Sequence, residues 1–256
     1  MIVRNDPRVE HELHELAQRI RIARRVTVMT GAGVSAASGV PTFRGPGGLW
    51  RTYRPEDLAT REAFARDPAL VWEWYSWRRD TVAACKPNAA HTVLARWSGH
   101  AGVRVITQNV DDLHVVAGTR DLIRLHGSLW ELKCFDRCAA GARPWRDERV
   151  ALAESLPRCA HCGGYARPAV VWFGEPLDAE DVNRAADATA CDVFLTIGTS
   201  ALVYPAAGLV RQAQVRGAFA AEINLEPTSA SPSVDLSLFG SAEDLLPKLD
   251  QLLASG

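Results

Sequence analysis

Apolar positions along this chain fall into two rhythms. Over 11–23, HELHELAQRIRIA, Leu13, Leu16, Ile20 and Ile22 recur mostly at steps of three or four, which predicts an amphipathic helix. The pattern then changes to a near-continuous apolar run, RVTVMT at 25–30, which predicts a buried strand. Similar short runs return at 103–108, 122–127, 169–174, 193–199 and 218–224. Helical patterns fall between several of them, at 88–97, 179–189 and 203–215, and a last helix is expected over 241–254 with Ser241 as its cap. Strands alternating with helices predict an α/β fold, a mostly parallel sheet with helices on both faces.

Two stretches break that rhythm. Residues 44–87 hold two or three helical patterns and no strand, and 130–168 are rich in Cys, Arg and Gly with little periodicity. Both read as insertions. The expected organisation is a sheet domain from 1–43, 88–129 and 169–256, with a small domain from 44–87 (a helical module) and 130–168 (a cysteine module).

Composition narrows the function classes. The chain has 256 residues, 47% of them apolar, and a net charge of −1, so no global field favours nucleic acid or an anionic membrane. No apolar run approaches the ~20 residues of a membrane span, and the charged first segment lacks the apolar core of a signal peptide. A cytoplasmic protein with reduced or metal-bound cysteines is expected.

Candidate chemistry gathers at a glycine loop, a cysteine quartet and the strand ends. Gly31, Gly33 and Ala36 follow the first predicted strand as G-x-G-x-x-A, a spacing that lets backbone N–H groups approach a pyrophosphate. The acid expected to end a second strand about 20 residues on is missing, because Glu56 and Asp57 lie in the helical insertion. A glycine turn that only packs helix against strand stays open. Cys134, Cys138, Cys159 and Cys162 form two close pairs suited to a tetrahedral thiolate zinc site with no open position. Two disulfides or unconnected thiols are the alternatives, and His161 is a rival ligand to Cys138. Cys85 and Cys191 read as packing residues. The strand ends carry TQNVDD (107–112), HG (126–127), GTS (198–200) and NLE (224–226), where an open α/β sheet binds ligands. His126 could act there as a general base or merely cap the strand; His11, His14, His91, His100 and His114 read as uninvolved.

Taken together, GAGVSAASGVPTFR (31–44), TQNVD (107–111), HG (126–127), the cysteine quartet, VVWFGE (170–175), GTS (198–200) and INLE (223–226) resemble, in order, the motifs of the sirtuins, NAD-dependent protein-lysine deacylases. The resemblance covers about residues 20 to 250 and implies a Rossmann-like doubly wound sheet, NAD consumed as co-substrate, and one structural zinc. It departs at Val40, at Asp112 and in the wider first Cys pair. It implies that Gly31, Ala32, Gly33, Ser35 and Ala36 cradle the pyrophosphate, and that Thr42, Phe43 and Arg44 belong to a loop closing over NAD. Gln108 would contact the ribose, with Asn109 and Asp111 around the nicotinamide; Asn109 joins His126 as catalytic. Gly198, Thr199, Ser200, Asn224, Glu226 and Ala242 would hold the phosphate and adenosine portions. Val171, Trp172, Phe173, Gly174 and Glu175 would pair with an extended substrate peptide.

The implied chemistry places the acyl-amide oxygen against C1′ of the nicotinamide ribose, with His126 deprotonating a ribose hydroxyl. Nicotinamide, free lysine and O-acyl-ADP-ribose are the products. Within the sirtuins, a Tyr-x-x-Arg pair marks the class that removes acidic acyl groups. Tyr75 and Arg78 match it, with Ala59 as the small residue that widens the pocket. The expectation is desuccinylation and demalonylation over deacetylation, by a monomer acting on acylated lysine in proteins or peptides. A deacetylase without acidic preference, a dehydrogenase, a protein ADP-ribosyltransferase and an NAD-sensing zinc scaffold are the rival readings.

Overall fold

A computed structural model describes residues 7–43, 48–49, 52, 54–150, 156–200 and 202–255. Helix α1 (Pro7–Ile22) begins a turn before its apolar spacing does, because Pro suits the first helical position. Strand β1 (Val26–Thr30) has every side chain buried, and a single turn, α2 (Gly33–Ala36), follows it. Helices α3 (Pro55–Leu58), α4 (Arg61–Arg66) and α5 (Pro68–Ala83) occupy the first insertion. Thr60 and Asp67 start α4 and α5 by accepting from the backbone N–H groups of Ala63 and Leu70. After α6 (Ala89–Trp97), capped by Asn88, come β2 (Val103–Thr107), α7 (Leu113–Val116) and β3 (Ile123–Arg124). Next are β4 (Gly127–Cys134), β5 (Trp145–Arg146) and β6 (Ala166–Val170). The chain ends with α8 (Ala179–Ala188), β7 (Val193–Ile197), α9 (Gly208–Val215), β8 (Phe219–Asn224), β9 (Leu236–Phe239) and α10 (Ala242–Ala254).

The large sheet has the order β3-β2-β1-β7-β8-β9, and every neighbouring pair is parallel. This is a Rossmann-like doubly wound sheet, whose strand order reverses between β1 and β7. One face packs on α1, α6 and α10 through Leu16, Leu94 and Leu246. The other packs on α8 and α9 through Phe194, Ala185 and Val210. Burial on both faces explains why the central strands read as apolar runs rather than alternations.

A second, antiparallel sheet, β5-β4-β6, packs on helices α3–α5. Phe64, Trp72, Leu132, Val170 and Trp172 fill the space between them. Phe64 stacks 4.8 Å from Phe135 and 5.5 Å from Trp172, and Trp72 Nε1 donates to the Ala166 carbonyl.

The structure revises several sequence expectations. The run at 169–174 does not join the parallel sheet; its strand is β6, which pairs with β4, and 171–175 are a turn-bearing segment outside either sheet. The run at 122–127 splits, since the chain leaves the large sheet after β3 and enters the small one at Gly127. Helix α9 is shorter than 203–215, because residues 204–207, with Pro205 among them, form a turn and the helix starts only at Gly208. Strand β9, LSLF, is too short and too mixed for the periodicity to reveal.

Candidate functional site

The carboxyl ends of β1 and β7 meet more closely than a side chain would allow. Gly31 N–H donates to Ile197 O at 2.9 Å, and Gly33 N–H to Gly198 O at 2.8 Å. A Cβ on Gly33 would lie 2.7 Å from Gly198 Cα, and Gly198 itself has φ +59°. These glycines therefore serve first to dock two loops on each other, and the approach of a ligand is a second use of the same bare backbone.

Beside this junction the strand ends are tied by side chains. Gln108 Nε2 donates to Thr199 Oγ1 at 3.0 Å, and Asn224 Nδ2 to Thr199 O at 2.9 Å, linking β2, β7 and β8. A cleft of about 1230 Å³ opens along these ends. Gly31, Ala32, Gly33, Ala36, Gln108, Asn109, Gly198, Thr199, Ser200, Asn224 and Glu226 line it from the large sheet. Thr42, Phe43, Ala59, Tyr75, Arg78, His126 and the segment Val171–Glu175 complete the rest of the expected set. Ser35, Asp111 and Ala242 are buried and do not line it, and Arg44 lies outside the described residues.

His126 sits at the corner between β3 and β4. Gly127 makes that corner possible: its φ is +77°, and a Cβ there would lie 1.9 Å from Ala169 O. His126 Nδ1 lies 2.9 Å from the carbonyl of Gln108. A carbonyl only accepts, so Nδ1 carries the hydrogen and Nε2 holds the lone pair. Burial pushes the imidazole pKa below its ordinary value, and the bond to Gln108 partly opposes this. The result is a half-buried base that is neutral at neutral pH.

At the other end, Arg78 is 6% exposed and stacks over Phe43 at 4.8 Å and Trp74 at 5.1 Å. Among the described residues it forms no ion pair, and buried Asp111 acts on it only at longer electrostatic range. Tyr75 Oη accepts from Trp172 Nε1 at 2.9 Å, which leaves its own hydrogen for another acceptor.

The Sir2 family profile matches residues 31–205, more than half of the chain. The chain belongs to the Sir2 family. It is 49% identical over 236 residues to an NAD-dependent protein deacylase of Pyrobaculum aerophilum, covering 91% of this chain and 93% of that one. It is 48% identical over 234 residues to a protein of the same description from Pseudomonas aeruginosa, covering 89% and 93%. Among solved structures it resembles a Sir2 homolog–NAD complex (TM-score 0.87, 42% identity, 94% and 93% covered). It also resembles Sir2Af2 bound to a myristoylated histone peptide (TM-score 0.77, 32% identity, 96% and 98% covered).

In this sirtuin the four cysteines of the quartet converge. Their sulfurs all lie within 4.8 Å of one another, with Cys134–Cys162 at 3.6 Å and Cys138–Cys159 at 3.7 Å. Tetrahedral zinc with Zn–S bonds near 2.3 Å requires sulfurs about 3.8 Å apart, so the donor set fits. His161 is exposed and outside the cluster, and the cysteines form no disulfide. The extra residue of the wider first pair is absorbed by Arg137, which adopts φ +54°.

Two histidines that read as uninvolved underlie the cleft. Asn109 Nδ2 donates to Ser35 Oγ at 3.1 Å, and His91 Nε2 lies 3.3 Å from the same oxygen. His114 Nε2 meets Thr30 Oγ1 at 3.0 Å, Thr30 Oγ1 donates to Thr107 Oγ1, and Thr107 Oγ1 accepts from Asn109 N–H. The two imidazole centres lie 4.8 Å apart with the rings tilted by 59°, closing a buried ring behind Asn109. Burial pushes His91 down to about 4 and, with the neighbouring His91, pushes His114 to about 3. The one sequence clue was His91 at the third position after Asn88, where it completes a capping box. Leu202, Tyr204 and Leu225 also line the cleft, exposed, and nothing in the sequence pattern marks them.

Proposed function

We propose that this sirtuin is an NAD-dependent protein-lysine deacylase that prefers succinyl- and malonyl-lysine, releasing nicotinamide and O-acyl-ADP-ribose. The observation that carries the preference is Arg78, a buried guanidinium lining the cleft that forms no ion pair among the described residues and feels only Asp111 at longer range. Burying a cation is costly unless a partner satisfies it. An acyl group ending in a carboxylate supplies that partner through charge-assisted bonds, with the Tyr75 hydroxyl donating as well. An acetyl group supplies neither.

The cleft suits two guests. Its volume exceeds the 300–1,000 Å³ usual for one small ligand, which leaves room for a dinucleotide beside an acyl-lysine side chain. Bound NAD would supply an electrophilic C1′ once nicotinamide leaves. The residues do the rest: the loops after β1, β7 and β8 hold the dinucleotide at the sheet's switch point. Asn109 and His126 stand at the ribose end, where His126 Nε2 accepts a proton from a ribose hydroxyl. In the 171–175 segment, the N–H groups of Val171, Trp172, Phe173 and Glu175 already donate within the chain. Pairing with a substrate peptide therefore falls to its remaining backbone groups. The quartet would hold one zinc as a structural clip. The two insertions form, in this reading, one small domain whose seam with the large one is the cleft. A cytoplasmic monomer without nucleic-acid or membrane partners completes it; among the described residues no helix is long and apolar enough to cross a membrane.

One observation favours a second acyl class. Phe173, Leu202, Tyr204 and Leu225 are exposed along the cleft and would accommodate a long apolar chain. The test uses one peptide sequence carrying succinyl-, malonyl-, acetyl- or myristoyl-lysine, with NAD. Nicotinamide release requiring both substrates, with kcat/KM at least tenfold higher on the acidic acyl groups, is expected. Equal or faster turnover of acetyl or myristoyl peptide removes the acidic preference. NAD binding without nicotinamide release favours the scaffold reading.

A further inference from the structure

Close to the cleft wall lies a concentration of positive charge that the deacylase reading leaves unused. Register between β4 and β6 sets Lys133 opposite Arg167. Arg167 is fully buried, stacks 3.5 Å from the Trp172 ring centre, and binds both oxygens of Glu175 at 2.8 and 2.7 Å. That bidentate pair is complete in itself. Yet Arg61 and Arg137 also close on Glu175 Oε1, at 4.0 and 3.8 Å. Lys133 stands within the electrostatic reach of Arg167, Glu175, Arg137 and Arg61. Three arginines thus close on one carboxylate, with Lys133 nearby. The neighbouring acids in sequence, Glu62 and Asp136, form no ion pair among the described residues.

The cluster is held rather than splayed into water. Arg61 lies over the Phe135 ring at 4.5 Å and donates to the Phe135 carbonyl. Arg137 takes a left-handed backbone, unusual for a non-glycine residue, and keeps its side chain 64% exposed beside Glu175. Mutual repulsion of this kind is relieved by an incoming anion. Glu175 lines the cleft, so the cations lie one side chain behind its wall, at the segment where the substrate peptide is proposed to run.

We infer that Arg61 and Arg137 form a docking patch for an aspartate or glutamate side chain flanking the acyl-lysine, so that the enzyme selects acidic sequence contexts. The inference rests on the deacylase reading, which lays the peptide along 171–175.

The experiment scans Glu, Gln and Lys through each position on both sides of the acyl-lysine of one peptide. At one position Glu should raise kcat/KM over Gln by about tenfold, with Lys lower than Gln and the advantage shrinking at high ionic strength. In the Arg61→Gln, Arg137→Gln double variant the Glu/Gln ratio should fall below about twofold, whereas Arg61→Lys, Arg137→Lys should retain it. Thermal melting of each variant reports folding separately. No Glu advantage at any position in the wild type, or an undiminished one in the Gln double variant, overturns the patch. Calorimetric binding of the Glu and Gln peptides reads the patch without turnover. Absence of deacylation on every peptide would instead count against the deacylase reading.

Discussion

His126 Nδ1 donates to the Gln108 carbonyl at 2.9 Å, and this one bond decides which imidazole nitrogen faces the cleft as a base. Because burial also lowers the pKa of the ring, its lone pair persists below the ordinary histidine value of about 6.5. The base works deprotonated, so activity is full above the lowered pKa and falls as pH drops through it. The acidic limb of a kcat/KM–pH profile should lie below that ordinary value, and His126→Ala should remove turnover by about 10²-fold or more. An acidic limb at or above the ordinary value would contradict the assigned base.

Arg78 and Tyr75 predict a change of preference rather than a general loss. Arg78→Met should lower kcat/KM on succinyl-lysine by roughly 10- to 10²-fold, as expected when a charge-assisted pair of about 1.5–3 kcal/mol is lost. Acetyl-lysine should be affected only a few-fold. Tyr75→Phe should lower succinyl turnover less, and should cost about 1 kcal/mol of stability because buried Trp172 Nε1 loses its acceptor. Steady-state kinetics on matched peptides and a melting curve measure both.

The cysteine quartet predicts about one zinc per chain by elemental analysis. Cys134→Ser should abolish the metal and lower the melting temperature, since the chain leaving β4 loses its clip to the segment that enters β6. Cys191→Ser should leave the zinc content unchanged, because Cys191 packs against the large sheet instead.

The His91–His114 pair predicts acid sensitivity. Both rings have folded pKa values, about 4 and about 3, below their unfolded value of about 6.5. Their contribution is therefore fully present above about pH 6.5 and is lost progressively as pH falls toward the folded values. Denaturant melts between pH 7 and 5 should show stability declining with net proton uptake on unfolding, and His114→Asn should flatten that slope. A wild-type slope near zero would contradict buried neutral rings.

How much was legible in advance can be judged residue by residue. Val26–Thr30 and Val193–Ile197 announced themselves because central parallel strands are buried on both faces, and the polar residues ending them could only lie on one edge of the sheet. The short motifs around Gly31, Asn109, His126 and Ser200 were readable because each sits where its strand stops. The run 169–174 was misread because an apolar pentad carries no record of which sheet receives it. That was decided by β4 at Gly127 and Lys133, far away in sequence. Ser35, Asp111 and Ala242 show the same limit: the motifs name them, but packing turns them away from the cleft.

The sequence by itself determined the alternation of strands and helices, the glycine loop, the four sulfurs and the candidate base, because local periodicity and spacing encode them. Only the tertiary structure decided that Arg78 forms no ion pair among the described residues, that His91 and His114 meet behind Asn109, and that three arginines close on Glu175. Each depends on contacts between segments distant along the chain, where burial and pairing set the energy of a charge and no local pattern records the partner.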